Sequence, residues 1–299
     1  MTSEVKIACF GEILWDTMPD GTAHAGGAPF NVAYHLSRMG VDVKVISSVG
    51  NDPLGDRLLQ KMENWQLSTE GVQQSTIYPT SQVLVQMGED YEARYDIVQN
   101  VAWDYIDKRP GQTAFLERAD ALVFGSLATR NAHSRQTLFE LLEASKFNVF
   151  DVNLRPPYYD VDVLRTLLYK SQLVKLNQAE LQLVLDFQGK NFDMEGDSLA
   201  YLQDTFQIEE LIVSKGSKGA VYASRDELIE VDAVSVQVKD TIGSGDAFLA
   251  GFLSQRFLPG TNASQWMNTA CALGAFITSK EGACPDYSRS DFNHFRSLH

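Results

Sequence analysis

Short apolar runs recur along this chain. Each is closed by a glycine or a polar residue, and most are followed by a segment whose apolar residues return every three or four positions. Residues 5–10, ending at Gly11, predict a strand, and residues 29–39 predict a helix with Pro29 in its first turn and Gly40 beyond its end. Residues 43–49 predict a strand and 54–65 a helix. Further strands are expected at 121–124, 149–152, 173–176 and 211–214, with helices at 134–144, 161–169, 179–185 and 197–206. Strands alternating with helices predict an α/β fold: a central, mostly parallel sheet with helices on both faces. No linker, repeat or low-complexity tract interrupts the pattern, so a single domain over residues 1–299 is expected.

One segment departs from the alternation. Residues 83–87 and 92–98 flank Gly88-Glu89-Asp90 and predict a β-hairpin spanning 81–99. A hairpin has no place inside a βαβ sheet. It is expected to project as a small second sheet, either a lid that also offers a homodimer contact or an antiparallel edge extension.

Composition narrows the partners. The 299 residues carry 25 Lys and Arg against 39 Asp and Glu, a formal charge of −14. That balance repels polyanions, and a basic stretch such as residues 215–218 holds only Lys215 and Lys218, so neither nucleic acid nor an anionic membrane is an expected partner. Cys9, Cys271 and Cys284 are too few and too scattered for a disulfide framework. The start of the chain has no basic segment leading into an apolar run, and no uncharged apolar stretch reaches about 18 residues. A cytoplasmic location is expected.

The richest chemistry lies in residues 234–248. Val234, Val236 and Val238 alternate and predict a strand with one buried face, Asp240 ends it, a turn containing Gly243 and Gly245 follows, and helical spacing resumes at Ala247. Two glycines at a helix start let backbone N–H groups converge where the helix dipole is positive, which suits a phosphate or a developing phosphoryl charge. Asp246, beside those donors, can accept a proton from an attacking hydroxyl; an acidic residue there also stabilises a helix start. No P-loop, third fingerprint glycine, His-Glu-x-x-His or Gly-x-Ser-x-Gly is present.

Asp240-Thr241-Ile242-Gly243-Ser244-Gly245-Asp246 resembles the C-terminal signature of the ribokinase-like (PfkB) carbohydrate kinases, with Ser244 where alanine is usual. Gly26-Gly27-Ala28-Pro29-Phe30-Asn31-Val32-Ala33 resembles their N-terminal signature, and Asn177-Gln178-Ala179-Glu180 their Asn-x-x-Glu element. Residues 11–16 and 151–155 look like the fructokinase branch. The resemblance implies a ribokinase-like fold and an ATP-dependent kinase acting on a primary hydroxyl, with fructose to fructose 6-phosphate preferred. 2-Keto-3-deoxygluconate kinase and a non-catalytic sugar- or nucleotide-binding regulator are the alternatives.

The same resemblance assigns roles. Asp246 is the implied base, and Gly243, Ser244 and Gly245 the implied anion hole for the γ-phosphoryl. Asp16, Gly26, Gly27, Asn31 and Arg155 are implied on the sugar. Asn177, Ser214, Lys215, Gly216 and Gly219 are implied on ATP, and Glu180 on magnesium through water. Residues 214–219 also read as a hairpin turn, and Asn177 with Glu180 as a helix capping box. Asp240, Ile242 and Gly282 match a monovalent-cation site, taken by potassium, unless Lys280 supplies the charge itself.

Overall fold

The computed structural model describes residues 5–17, 21–87 and 93–299. Its strands are β1 (Lys6–Phe10), β2 (Leu14–Thr17), β3 (Ala23–Gly26), β4 (Asp42–Gly50), β5 (Val72–Ser75), β6 (Ser81–Met87), β7 (Ala93–Ile97), β8 (Ala121–Gly125), β9 (Asn148–Asp151), β10 (Leu173–Asn177), β11 (Glu210–Ser214), β12 (Ala220–Ser224) and β13 (Leu228–Val231). Its helices are α1 (Ala28–Arg38), α2 (Pro53–Asn64), α3 (Gln112–Leu116), α4 (Ala132–Leu142), α5 (Val161–Tyr169), α6 (Gln178–Phe187), α7 (Glu195–Phe206), α8 (Ser244–Arg256), α9 (Ala263–Thr278) and α10 (Arg289–Leu298).

The larger sheet runs in the order β13-β12-β11-β10-β9-β8-β1-β4-β5 and is parallel from β5 through β11. Alternate side chains of its strands enter two different cores. Ile7 and Cys9 of β1 pack on the side of α1, α8 and α9, whereas Ala8 and Phe10 face the layer of α4, α5, α6 and α7. Burial on both faces explains why these strands read as unbroken apolar runs. The α/β reading of the sequence, with a mostly parallel central sheet flanked by helices, is therefore borne out.

Strand order reverses at β1. The chain proceeds from β1 outward to β4 and β5, then returns to β8 on the other side of β1 and continues to β11. A parallel sheet opens a crevice at the carboxyl ends of its strands at such a reversal. Glu12 follows β1 there, Gly125 ends β8 and Asp151 ends β9, and all three line one cavity.

Two expectations change. Residues 234–238 form no strand: after β13 the chain leaves the sheet, Lys239 N–H bonds the Thr278 carbonyl at the end of α9, and Val238 is 62 % exposed. Alternation alone could not supply the neighbouring strand that a ladder requires. The projecting hairpin is also larger than predicted. Strands β6 and β7 pair antiparallel, but β6 also runs parallel to β2, which pairs with β3, giving a four-stranded sheet in the order β3-β2-β6-β7. The predicted turn at Gly88-Glu89-Asp90, and Glu92, lie outside the described residues.

Candidate active site

Helix α8 begins where the glycine turn was predicted. Gly243 is its N-cap, with φ +74°, and a Cβ at this position would come within 2.6 Å of the Ala283 side chain. Backbone conformation and close packing thus both exclude a larger residue. The Ser244 N–H bonds back to the Thr241 carbonyl at 3.3 Å, and the Ser244 hydroxyl donates to the same oxygen at 2.9 Å. Ala247 N–H reaches Gly243 O, closing the first helical bond. The N–H groups of Gly245 and Asp246 have no acceptor within the helix, as geometry requires of a first turn. They, rather than Ser244, are the donors this turn can aim at an anion.

Asp246 stands at the end of these donors with part of its surface open to the cavity. The Asn31 Nδ2 group, from the first turns of α1, donates to Asp246 Oδ2 at 2.8 Å. Burial and the nearby Asp151 push the Asp246 carboxyl up to about 6, against the lowering effect of the Asn31 bond, Lys175 and Arg155. Burial likewise pushes Glu12 up to about 7 and Asp16 up to about 6. Glu12 Oε1 accepts the Ala28 N–H at the start of α1 at 3.1 Å, while Oε2 is buried without a partner among the described residues. Gly27, with φ +114°, lies so close to Glu12 that a Cβ there would stand 2.2 Å from the Glu12 carbonyl oxygen.

Two cavities meet at this helix start. The first, about 410 Å³, is lined by Asp16, Gly27, Asn31, Arg155, Asn177 and Glu180 along with Ile242, Gly243, Gly245 and Asp246. Val83 and Ile97 of the smaller sheet close one side of it. The second, about 430 Å³, is bounded by Gly216, Gly219, Ser244, Phe248 and the valines at 234, 236 and 238. Ser214, Thr241 and Gly245 belong to both. The valine alternation that suggested a strand thus marks a cavity wall.

Some predicted residues stand elsewhere. Gly26 is on β3 opposite Leu14, with Asp16 Oδ2 in the space its side chain would need. Lys215 is paired with Glu195 at the start of α7 at 2.5 Å. The β11–β12 pair is antiparallel, so residues 214–219 are a hairpin connection as well as a cavity wall. Asp240 accepts the Ile242 N–H at 3.0 Å and the Gly282 N–H at 2.9 Å, bracing the turn against the loop after α9. The Lys280 ammonium lies 4.7 Å over the Phe276 ring and contributes to the field at Asp291.

Asn177 and Glu180 form the capping box of α6: Asn177 Oδ1 accepts the Glu180 N–H and Glu180 Oε2 the Asn177 N–H, both at 2.9 Å. Glu180 Oε1 also accepts the Leu154 N–H at 2.9 Å, tying the loop after β9 to this helix. Among the described residues no three His, Cys, Asp or Glu side chains gather as a metal cage. Asp151 and Glu180 nevertheless present cavity-facing carboxylates already engaged in hydrogen bonds. That donor set fits magnesium kept in its water shell and completed by phosphate oxygens.

Lys175 was not singled out from the sequence. It interrupts the apolar strand Leu173-Val174-Lys175-Leu176, and that interruption was the available signal. Its ammonium is buried against Asp151 and lies 3.6 Å from where a Cβ on Gly245 would be, next to the anion donors. Asp151 and Glu12 lay inside recognised motifs without a role of their own.

Comparison with known proteins agrees with this architecture. The pattern of the pfkB family carbohydrate kinases matches residues 7–289. A fructokinase of Escherichia coli is 30 % identical over 93 % of this chain and 94 % of its own length. Among solved structures, a fructokinase of Xylella fastidiosa with bound ATP superposes with a TM-score of 0.86 at 22 % identity, covering 98 % of both chains. A Vibrio cholerae fructokinase double mutant in a fructose-, ADP- and potassium-bound form gives 0.85 at 23 % identity over 99 % of both chains. At these identities the superpositions establish the ribokinase-like fold.

Proposed function

Because the chain belongs to the pfkB family of carbohydrate kinases, we propose that it transfers the γ-phosphoryl group of ATP to the 6-hydroxyl of fructose. The observation that carries this reading is Asp246. It is a carboxylate in the first cavity, beside the N–H donors of the helix start and next to Gly245, which lines both cavities. The sugar occupies the first cavity, with Asp16, Asn31 and Arg155 toward its hydroxyls, and the nucleotide base the second.

Asp246 takes the proton of the 6-hydroxyl as that oxygen bonds to the γ-phosphorus and the bond to the ADP oxygen breaks. Gly245 and Asp246 N–H stabilise the charge on the transferring group, the positioning and electrostatic work that phosphoryl transfer needs most. Glu180 and Asp151 would hold magnesium through water, and the ion would supply neutralisation of the phosphate charge. Potassium is the proposed occupant of the Asp240–Gly282 turn. The smaller sheet is proposed as the lid of one domain spanning residues 1–299, and as the contact of a homodimer. A soluble, cytoplasmic enzyme is proposed; among the described residues no helix is long and apolar enough to cross a membrane.

The test is ATP consumption by the purified protein with a panel of sugars. Fructose should give the highest kcat/KM, with fructose 6-phosphate as product. A preference for 2-keto-3-deoxygluconate would move the substrate assignment, and no turnover on any sugar would overturn it.

A further inference from the structure

The Asn31 amide that holds Asp246 is itself held, at its other end, by a thiol. Cys284 Sγ donates to Asn31 Oδ1 at 3.2 Å, while Asn31 Nδ2 donates to Asp246 Oδ2 at 2.8 Å. An amide buried to 5 % exposure has two chemically opposite ends, and a flip would turn its oxygen toward the carboxylate. We propose that Cys284 is a positioning residue: its S–H keeps the Asn31 oxygen turned away from Asp246, so that one carboxylate oxygen is occupied by the amide and the other stays free for the substrate hydroxyl. The proposal rests on Asp246 being the base.

The segment that carries Cys284 is clamped to α1 on both sides. A carbonyl only accepts, so His35 Nε2 donates to Ala283 O at 2.9 Å, and Nδ1 of the neutral ring accepts from Tyr287 Oη at 3.0 Å. Burial holds His35 down to about 4, which keeps it in that neutral form at working pH. Tyr34 Oη donates to Pro285 O at 2.6 Å. Three contacts therefore fix residues 283–287 against the helix that bears Asn31, and the thiol has little freedom to leave. Held in this clamp, the thiol faces an amide oxygen, which can only accept, and so acts as the donor.

The test compares Cys284→Ala with Cys284→Ser. Losing a donor worth one ordinary hydrogen bond should lower kcat/KM by about twofold to tenfold. The acid limb of its pH profile should also move to higher pH, because a less well-held amide supports the carboxylate less. The hydroxyl of the serine variant should return both to within about twofold of the parent. Glu12, Asp151, Lys175 and Arg155 also act on Asp246, and they are unchanged in both variants, so the comparison isolates the amide. Cys284→Val, which keeps the volume, replaces the alanine variant should that one not fold. A 13C titration of the Asp246 carboxyl, assigned with Asp246→Asn, reads the same shift without turnover. An inactive parent would thus refute the kinase reading while this titration still decides the thiol's role. Superimposed titrations and pH limbs for the parent and Cys284→Ala would overturn the proposal. Equal losses in the alanine and serine variants with an unmoved limb would do so too, since packing alone would then explain them.

Discussion

Lys175 and Asp151 face each other in register on adjacent parallel strands, with the ammonium 2.9 Å from each carboxylate oxygen and both side chains buried. A charge taken out of water stays there only if its partner does. Lys175→Met should cost about 3–5 kcal/mol by leaving an unpaired buried carboxylate. The double variant Lys175→Met/Asp151→Leu should recover much of that loss. Urea denaturation of the two single variants and the double variant measures the coupling, and strictly additive losses would show that the pair does not interact.

Asp246→Asn should lower kcat by on the order of 10²–10⁴-fold, or roughly 3–5 kcal/mol, with little change in ATP or sugar affinity. In the parent, kcat/KM should fall about tenfold per pH unit below pH 6, because the base is competent only when ionised. The stability effect has the opposite sense. A carboxyl raised from 3.8 to about 6 contributes stability below pH 4 that is lost as pH rises through 6. The asparagine variant should therefore melt no lower than the parent at pH 8. A near-parental kcat would leave Asp246 with only a helix-start role.

Glu180→Gln tests a residue with two duties. Both carboxylate oxygens accept backbone N–H groups, and an amide can replace only one of those acceptors. A stability loss of about 1–3 kcal/mol is expected. The magnesium requirement should rise more than the sugar KM. Superimposed magnesium titrations of variant and parent would confine Glu180 to capping α6.

Residues of the smaller sheet, Val83 and Ile97 among them, line the cavity proposed for the sugar. Hydrogen exchange in β6 and β7 should slow when fructose and an ATP analogue are bound, and equal protection with and without them would remove the lid role. Light scattering showing a monomer at assay concentration would remove the dimer.

Much of the molecule was legible in one dimension because its causes are local. A strand buried on both faces reads as an apolar run, and an amphipathic helix as a three-to-four repeat, so β1, β4, β8–β11 and most helices between them were visible. The glycine turn before Asp246 was visible for the same reason, since glycine is the residue that takes a φ of +74° without strain. The α6 capping box was likewise written within four consecutive residues.

Pairings between distant segments were not legible. Valines at 234, 236 and 238 have strand periodicity, but among the described residues no strand pairs with them, and they wall a cavity instead. β2 joins β6 across residues that no local preference links, and Lys175 meets Asp151 only because β9 and β10 align. Asn31 reaches Asp246 across 215 positions and Cys284 across 253. The sequence by itself determined most strands and helices of the central α/β layers and where a backbone could turn toward an anion, because dihedral preference and side-chain periodicity act over a few residues. Which carboxylate is buried, what holds it and which lysine stands beside it were decided only by tertiary packing, because burial and hydrogen-bond partnership belong to contacts between elements.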